Sequence, residues 1–229
     1  MGGFNRAVLK GLPDAFTMEE LRASIRRTAK QLPERERETT KGIARETLML
    51  ASSNYEVQFA PESGLSERVL FPVTPSQSNG IEDARFVLFC REDGTRTYYA
   101  TYTAYDGKMI LPQFLETSDF LRFKFITLNG PAVENKGMAL FPRKIKGLYA
   151  MLGRQDAENI YVMFSDHLHF WHTMQLILEP VFPWEFIQLG NCGSPIETEA
   201  GWLVISHGVG PMRKYCIGAF LLDRDDPTK

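Results

Sequence analysis

Four short stretches of the sequence carry polar side chains for which a strand-forming core has no use. The first is Asn79-Gly80-Ile81-Glu82-Asp83-Ala84-Arg85-Phe86, where two acids and an arginine stand directly before an apolar run. A carboxylic acid at a strand start can deliver a proton to a leaving group if its surroundings favour the protonated form. The same pattern also describes a turn acid paired with Arg85. The second stretch is Tyr102-Thr103-Ala104-Tyr105-Asp106-Gly107. Tyrosines beside an acid can stack on a sugar and bond its hydroxyls, or they can simply cover a hairpin core. The third runs from Asn135-Lys136-Gly137 to Arg143 and resumes at Gly153-Arg154-Gln155-Asp156. Lys136 and Arg154 border apolar runs, where a cation either binds an anion or ends a strand at the surface. The fourth is Gly190–Glu199 followed by Ser206-His207-Gly208-Val209-Gly210. His207 is read as closing the strand Trp202–Ser206 and opening a glycine-rich loop, a better place for a ligand contact than for core packing.

Other chemistries are poorly represented. His167, His169 and His172 crowd one turn with no carboxylate at ligand spacing, so no metal site is expected there. The sequence has no phosphate-binding P-loop, dinucleotide fingerprint, serine elbow or zinc-protease helix motif. No cofactor is expected.

The elements that must position these residues fall into two parts. Residues 1–51 are read as a helical segment. Thr17 and Glu20 form a capping box, with Phe16 and Leu21 placed as its staple, and a second helix is expected from Glu34 to Leu50 after Pro33. Its charged stretch Pro33–Lys41 reads as a solvated face. From residue 52 to 229 the pattern becomes all-β: short runs rich in Val, Ile, Phe and Tyr, separated by Gly, Asp, Asn and Pro. Asp93-Gly94 marks a hairpin. The pattern Ser-Asp-x-Leu-x-Phe occurs at Ser118 and again at Ser165, 47 residues later. A glycine leading an aromatic strand occurs at Gly147 and again at Gly201, 54 residues later. Such periods suggest propeller blades, with a non-repeating β-sandwich as the competing architecture.

Composition narrows the partners. A net charge of −2 gives no general attraction to nucleic acid or anionic membranes. No apolar run reaches the ~18 residues of a spanning helix, and the N-terminal residues lack a signal-peptide apolar core. Neither nucleic acid nor membrane is an expected partner. Cys90, Cys192 and Cys216 are odd in number, lack metal-site spacing and lie in apolar stretches. They are read as small buried hydrophobes in a reducing, cytoplasmic protein.

Taken in order, these segments resemble glycoside hydrolase family 130, the inverting β-mannoside phosphorylases and β-mannosidases built on a five-bladed β-propeller. The matching stretches are Gly80–Phe86, Thr101–Gly107, Asn135–Asp156, Ser165–Trp171, Gly193–Gly210 and Tyr215–Pro227. The resemblance implies that Asp83 is the proton donor, with Ala84 where the family usually has proline. It implies that Lys136, Arg154, His207 and Tyr215 bind phosphate, and that Asn54, Arg85, Tyr105 and Asp106 bind substrate. The implied partners are a β-mannoside oligosaccharide and inorganic phosphate, and the implied product is α-mannose 1-phosphate. A β-mannosidase of the same family and a non-catalytic sugar-binding or assembly module are the alternatives. The repeat length gives three to four blades in residues 52–229, so an incomplete propeller is expected. Its missing blades would come from a homo-oligomer or another chain, and the chain alone would have little activity.

Overall fold

The computed structural model describes residues 2–229, which divide into two compact units meeting between Asn54 and Tyr55. The first unit holds three helices: α1 (Gly2–Lys10), α2 (Met18–Lys30) and α3 (Glu34–Ser52). The capping box forms as the sequence dictates, Thr17 Oγ1 accepting from the Glu20 amide at 3.3 Å and Glu20 accepting from the Thr17 amide at 2.7 Å. Leu21 and Ile25 of α2 bury against Phe4 and Val8 of α1. Phe16, by contrast, stays 40% exposed. Residues 1–51 are read as helical with two helices, and α1 is a third within that segment: its stretch is short and begins with two glycines, weak helix formers. Packing against α2 explains its apolar residues.

The second unit begins with β1 (Tyr55–Gln58). It continues through β2 (Ile81–Cys90), β3 (Arg96–Tyr105), β4 (Ile110–Thr117) and β5 (Arg122–Thr127), which form an antiparallel sheet in the order β1-β5-β4-β3-β2. A second sheet is a meander of β6 (Ala139–Leu140), β7 (Tyr149–Gly153), β8 (Ile160–Ser165) and β9 (Gln175–Leu178). The third comprises β10 (Gln188–Asn191), β11 (Ile196–Thr198), β12 (Gly201–Val209) and β13 (Tyr215–Leu222). Strands β10 and β11 are one interrupted strand: both pair with β12, at opposite ends of it.

The sheets stack face to face in chain order. Tyr149 and Met151 of β7 join Phe89, Tyr99 and Phe114 of the first sheet, with Trp171 fully buried between them. Ala150 and Leu152, the alternate residues of the same strand, join Leu189, Trp202 and Val204 of the third sheet. A strand buried on both faces loses the apolar–polar alternation, so Tyr149–Gly153 reads as a continuous apolar run.

The two sequence repeats occupy equivalent places. Ser118 stands in the turn between β4 and β5 of the first sheet, and Ser165 ends β8 before the link to β9 in the second. Gly147 lies in the turn before β7 and Gly201 opens β12, both with positive φ (80° and 138°). One expectation is overturned here. Cys90 and Cys192 are exposed and Cys216 is half-exposed, because Cys90 ends an edge strand, Cys192 interrupts the β10–β11 strand, and β13 turns alternate residues to the surface.

Candidate functional site

Asp83 owes its position to a defect in pairing. Along β2 and β3, Glu82 pairs with Thr103 but Arg85 pairs with Thr101, so β2 carries one extra residue. That is a β-bulge, a device that re-aims side chains. Asp83 takes φ +58°, in the left-handed region. Successive residues of a regular strand point to opposite faces. The bulge lets Glu82 and Asp83 reach one cation instead: Lys136 Nζ lies 2.9 Å from Glu82 Oε1 and 3.5 Å from Asp83 Oδ2. Lys136 comes from the loop before β6, where Asn135 and Gly137 also have positive φ. Arg85 crosses to the same loop and donates to the Gly137 carbonyl at 2.5 Å.

A second group of cations lies beside the first. Arg154 directly follows β7 and is only 4% exposed, yet its Nε and Nη1 have no hydrogen-bond partner. Two glycines make room for it. A Cβ on Gly137 would stand 2.6 Å from Arg154 Nε, and one on Gly190 would stand 3.1 Å from Arg154 Cδ and 2.9 Å from His207 Cε1. His207 therefore touches the same backbone patch as Arg154. Its ring stacks near Tyr215, with centroids 6.3 Å apart, and its Nδ1 lies 3.7 Å from Cys192 Sγ.

The electrostatics follow from this crowding. Burial pulls the Arg85 guanidinium down to about 10, helped by the nearby Arg154 charge, while Asp83 and Cys192 oppose the fall. Arg154 is also lowered by burial, with Asp83 the strongest opposing charge. His207 falls below its ordinary value through burial first, then through Arg154 and Arg85. Two arginines and a histidine thus share a partly dry patch, with the Asp83 carboxylate opposing the fall of all three. Such a patch suits a multiply charged anion.

Six of the nine residues singled out from the sequence come together here: Asp83, Arg85, Lys136, Arg154, His207 and Tyr215. Tyr105 ends β3 and Asp106 follows it in the turn to β4, at the same end of the first sheet as the bulge. Tyr105 is exposed, and the Asp106 carboxylate accepts the amides of Lys108 and Met109 at 2.8 and 2.6 Å. Asn54 belongs to the helical unit, where its side-chain amide donates to the Leu50 carbonyl. His207 does not open a loop as read: β12 runs to Val209, and Gly208 and Gly218 are small because Trp184 packs on them. Sequence reasoning missed Gly190 and Cys192 as neighbours of His207. They sit across an interrupted strand, and only the pairing of Gly190 with His207 reveals the contact.

One cavity adjoins the site and a larger cleft lies away from it. A cavity of ≈ 290 Å³ opens behind the bulge between Glu82, Asp83, Phe86 and Tyr102. The larger cleft, ≈ 700 Å³ between Arg91, Lys144, Tyr149 and Arg224, lies at the far end of β2. An extended strand rises about 3.3 Å per residue, which puts that cleft on the order of 20 Å from Asp83.

The family model described as β-1,4-mannooligosaccharide phosphorylase matches residues 37–229. The chain belongs to glycoside hydrolase family 130. Among family 130 relatives, a 1,2-β-oligomannan phosphorylase of Thermoanaerobacter sp. (strain X514) is 36% identical over 172 residues, 72% of this chain and 55% of that protein. A β-1,2-mannobiose phosphorylase of Listeria innocua is 32% identical over 173 residues, 69% of this chain and 45% of that protein. The solved structure of a Listeria innocua β-1,2-mannobiose phosphorylase in complex with β-1,2-mannobiose superposes with a TM-score of 0.59 at 30% identity, over 69% of this chain and 45% of that one. The chain spans about half the length of the curated relatives it matches.

Proposed function

We propose that the site serves the inverting phosphorolysis of β-mannosides, yielding α-mannose 1-phosphate from a manno-oligosaccharide and inorganic phosphate. Within this reading the three sheets are blades of a five-bladed propeller, completed in the functional assembly by a homo-oligomer or by further chain. The observation that carries it is the buried Arg154 guanidinium with two unpartnered nitrogens, set between Arg85 and His207 and facing the Asp83 side. A phosphorylase needs one acid and a cationic cradle, because phosphate is already a nucleophile. Arg154, His207, Lys136 and Tyr215 hold the phosphate in line with the anomeric carbon, where positioning and charge stabilisation do most of the work. Asp83 supplies the proton to the departing oxygen, through a sugar hydroxyl. Arg85, Tyr105, Asp106 and Asn54 are assigned to the sugar. Three free cysteines, two of them exposed, favour a reducing, cytoplasmic setting.

Hydrolysis fits less well. An inverting hydrolase sets a second carboxylate across the sugar from the acid, with room for water between. The carboxylate beside Asp83 is Glu82, which shares Lys136 with it and so does not stand across the sugar from it. The test is incubation with β-1,2- and β-1,4-mannobiose, with and without phosphate. Phosphate-dependent mannose 1-phosphate supports the proposal; free mannose without phosphate overturns it.

A further inference from the structure

We infer that Glu82 is a positioning residue that occupies Lys136 until phosphate arrives and so sets the affinity of the site for its anion. The inference rests on the phosphorylase reading above, which assigns Lys136 to phosphate and gives Glu82 no role.

The geometry distinguishes the two carboxylates. Glu82 takes the short contact to Lys136 Nζ, a hydrogen bond of 2.9 Å, and Asp83 the longer one, 3.5 Å. All three side chains are part-exposed, at 30% for Lys136, 55% for Glu82 and 41% for Asp83, so the pair can open without burying a bare charge. Arg154 has no such partner: no carboxylate approaches it within 4.0 Å among the described residues. The ligand-free site therefore has one cation that already holds an anion and one that does not.

Two consequences follow. An incoming phosphate can use Arg154 at once, but must share Lys136 with Glu82 or displace it, and the Glu82 charge repels it as well. Glu82 thus weakens phosphate binding. In return Glu82 takes the short contact to Lys136 and leaves Asp83 the longer one. The bulge makes the arrangement possible, since regular pairing would send Glu82 and Asp83 to opposite faces.

The experiment titrates inorganic phosphate into the full chain by calorimetry, comparing the unaltered protein with E82Q, E82D and K136A. An exposed ion pair is worth about 0.2–1 kcal/mol, so E82Q tightens phosphate by about 1.4- to fivefold. A merely structural glutamate would loosen it. E82D, which keeps the charge, retains the original affinity, and K136A weakens binding. If E82Q is unchanged or weaker while K136A still weakens binding, the role of Glu82 is refuted and the phosphate site stands. If the unaltered chain does not bind phosphate, or K136A is without effect, both the site assignment and this inference fail.

Discussion

The two halves of the site solve opposite problems. On the β2 side the charges are part-exposed and already paired: Glu82 and Asp83 share Lys136. On the β7–β12 side Arg154 is buried, two of its nitrogens are unsatisfied, and its near neighbours Arg85 and His207 are also basic. A buried charge without a counterion is costly. Stability and function therefore coincide in the first half and conflict in the second. The carboxylate half is paired as it stands, whereas the arginine half is paired only with an anion in it.

The largest effect should come from the carboxylate half. Asp83→Asn removes the proton and leaves the cationic half untouched, so in the active assembly phosphorolysis falls about 10²–10⁴-fold. Phosphate binding by calorimetry should persist. Loss of both together would mean that the halves are not separable. Next, Arg154→Met should weaken phosphate by about 10- to 100-fold, the value of one or two hydrogen bonds to a charged group. Its thermal midpoint in phosphate-free buffer should rise, because an apolar chain of similar length replaces an uncompensated charge. A drop of several degrees would show that Arg154 supports the fold instead.

The smallest effect is a pH dependence. His207 titrates below its ordinary value of 6.5 in the folded protein, through burial and then the Arg154 and Arg85 charges. The unfolded chain therefore binds the proton first as pH falls. The stability contributed by neutral His207 is complete above about pH 6.5 and is lost as pH drops through the lower folded value. Phosphate should reduce that loss, since an anion beside the ring favours its charged form. Unfolding midpoints between pH 7.5 and 5.5, with and without phosphate and with His207→Gln as reference, measure this. An equal slope in all four conditions would remove His207 from the arginine half.

The sequence revealed the strands and the two repeats because edge and core strands carry distinct patterns, and Ser118 and Ser165 fall at the same corner of successive sheets. It revealed α2 through Thr17 and Glu20, whose capping chemistry is local. Helix α1 was hidden because its reason for existing is the contact of Phe4 and Val8 with α2. Within the site, the residue types Asp83, Lys136, Arg154 and His207 were legible as polar interruptions of apolar runs. Their arrangement was not. That Glu82 takes the lysine, and that Gly137 and Gly190 leave room for Arg154, depends on a bulge and on packing between sheets. The cysteines misled for the same reason: an apolar stretch in sequence does not say which face of an edge strand is covered.

The left-handed backbone at Asp83 has a consequence for which letters position 83 can hold. A φ of +58° is readily accepted by glycine, asparagine and aspartate, and resisted by β-branched and bulky residues. Under the proposed function, proton delivery demands aspartate or glutamate. Folding and chemistry each apply their own filter, and the two lists share a single member. A substitution scan at this position should therefore separate into two classes. Gly and Asn should give well-folded, inactive protein, and Glu a carboxylate that strains its own backbone. No replacement should recover both properties, so the site has no neutral neighbour in sequence space through which aspartate could drift.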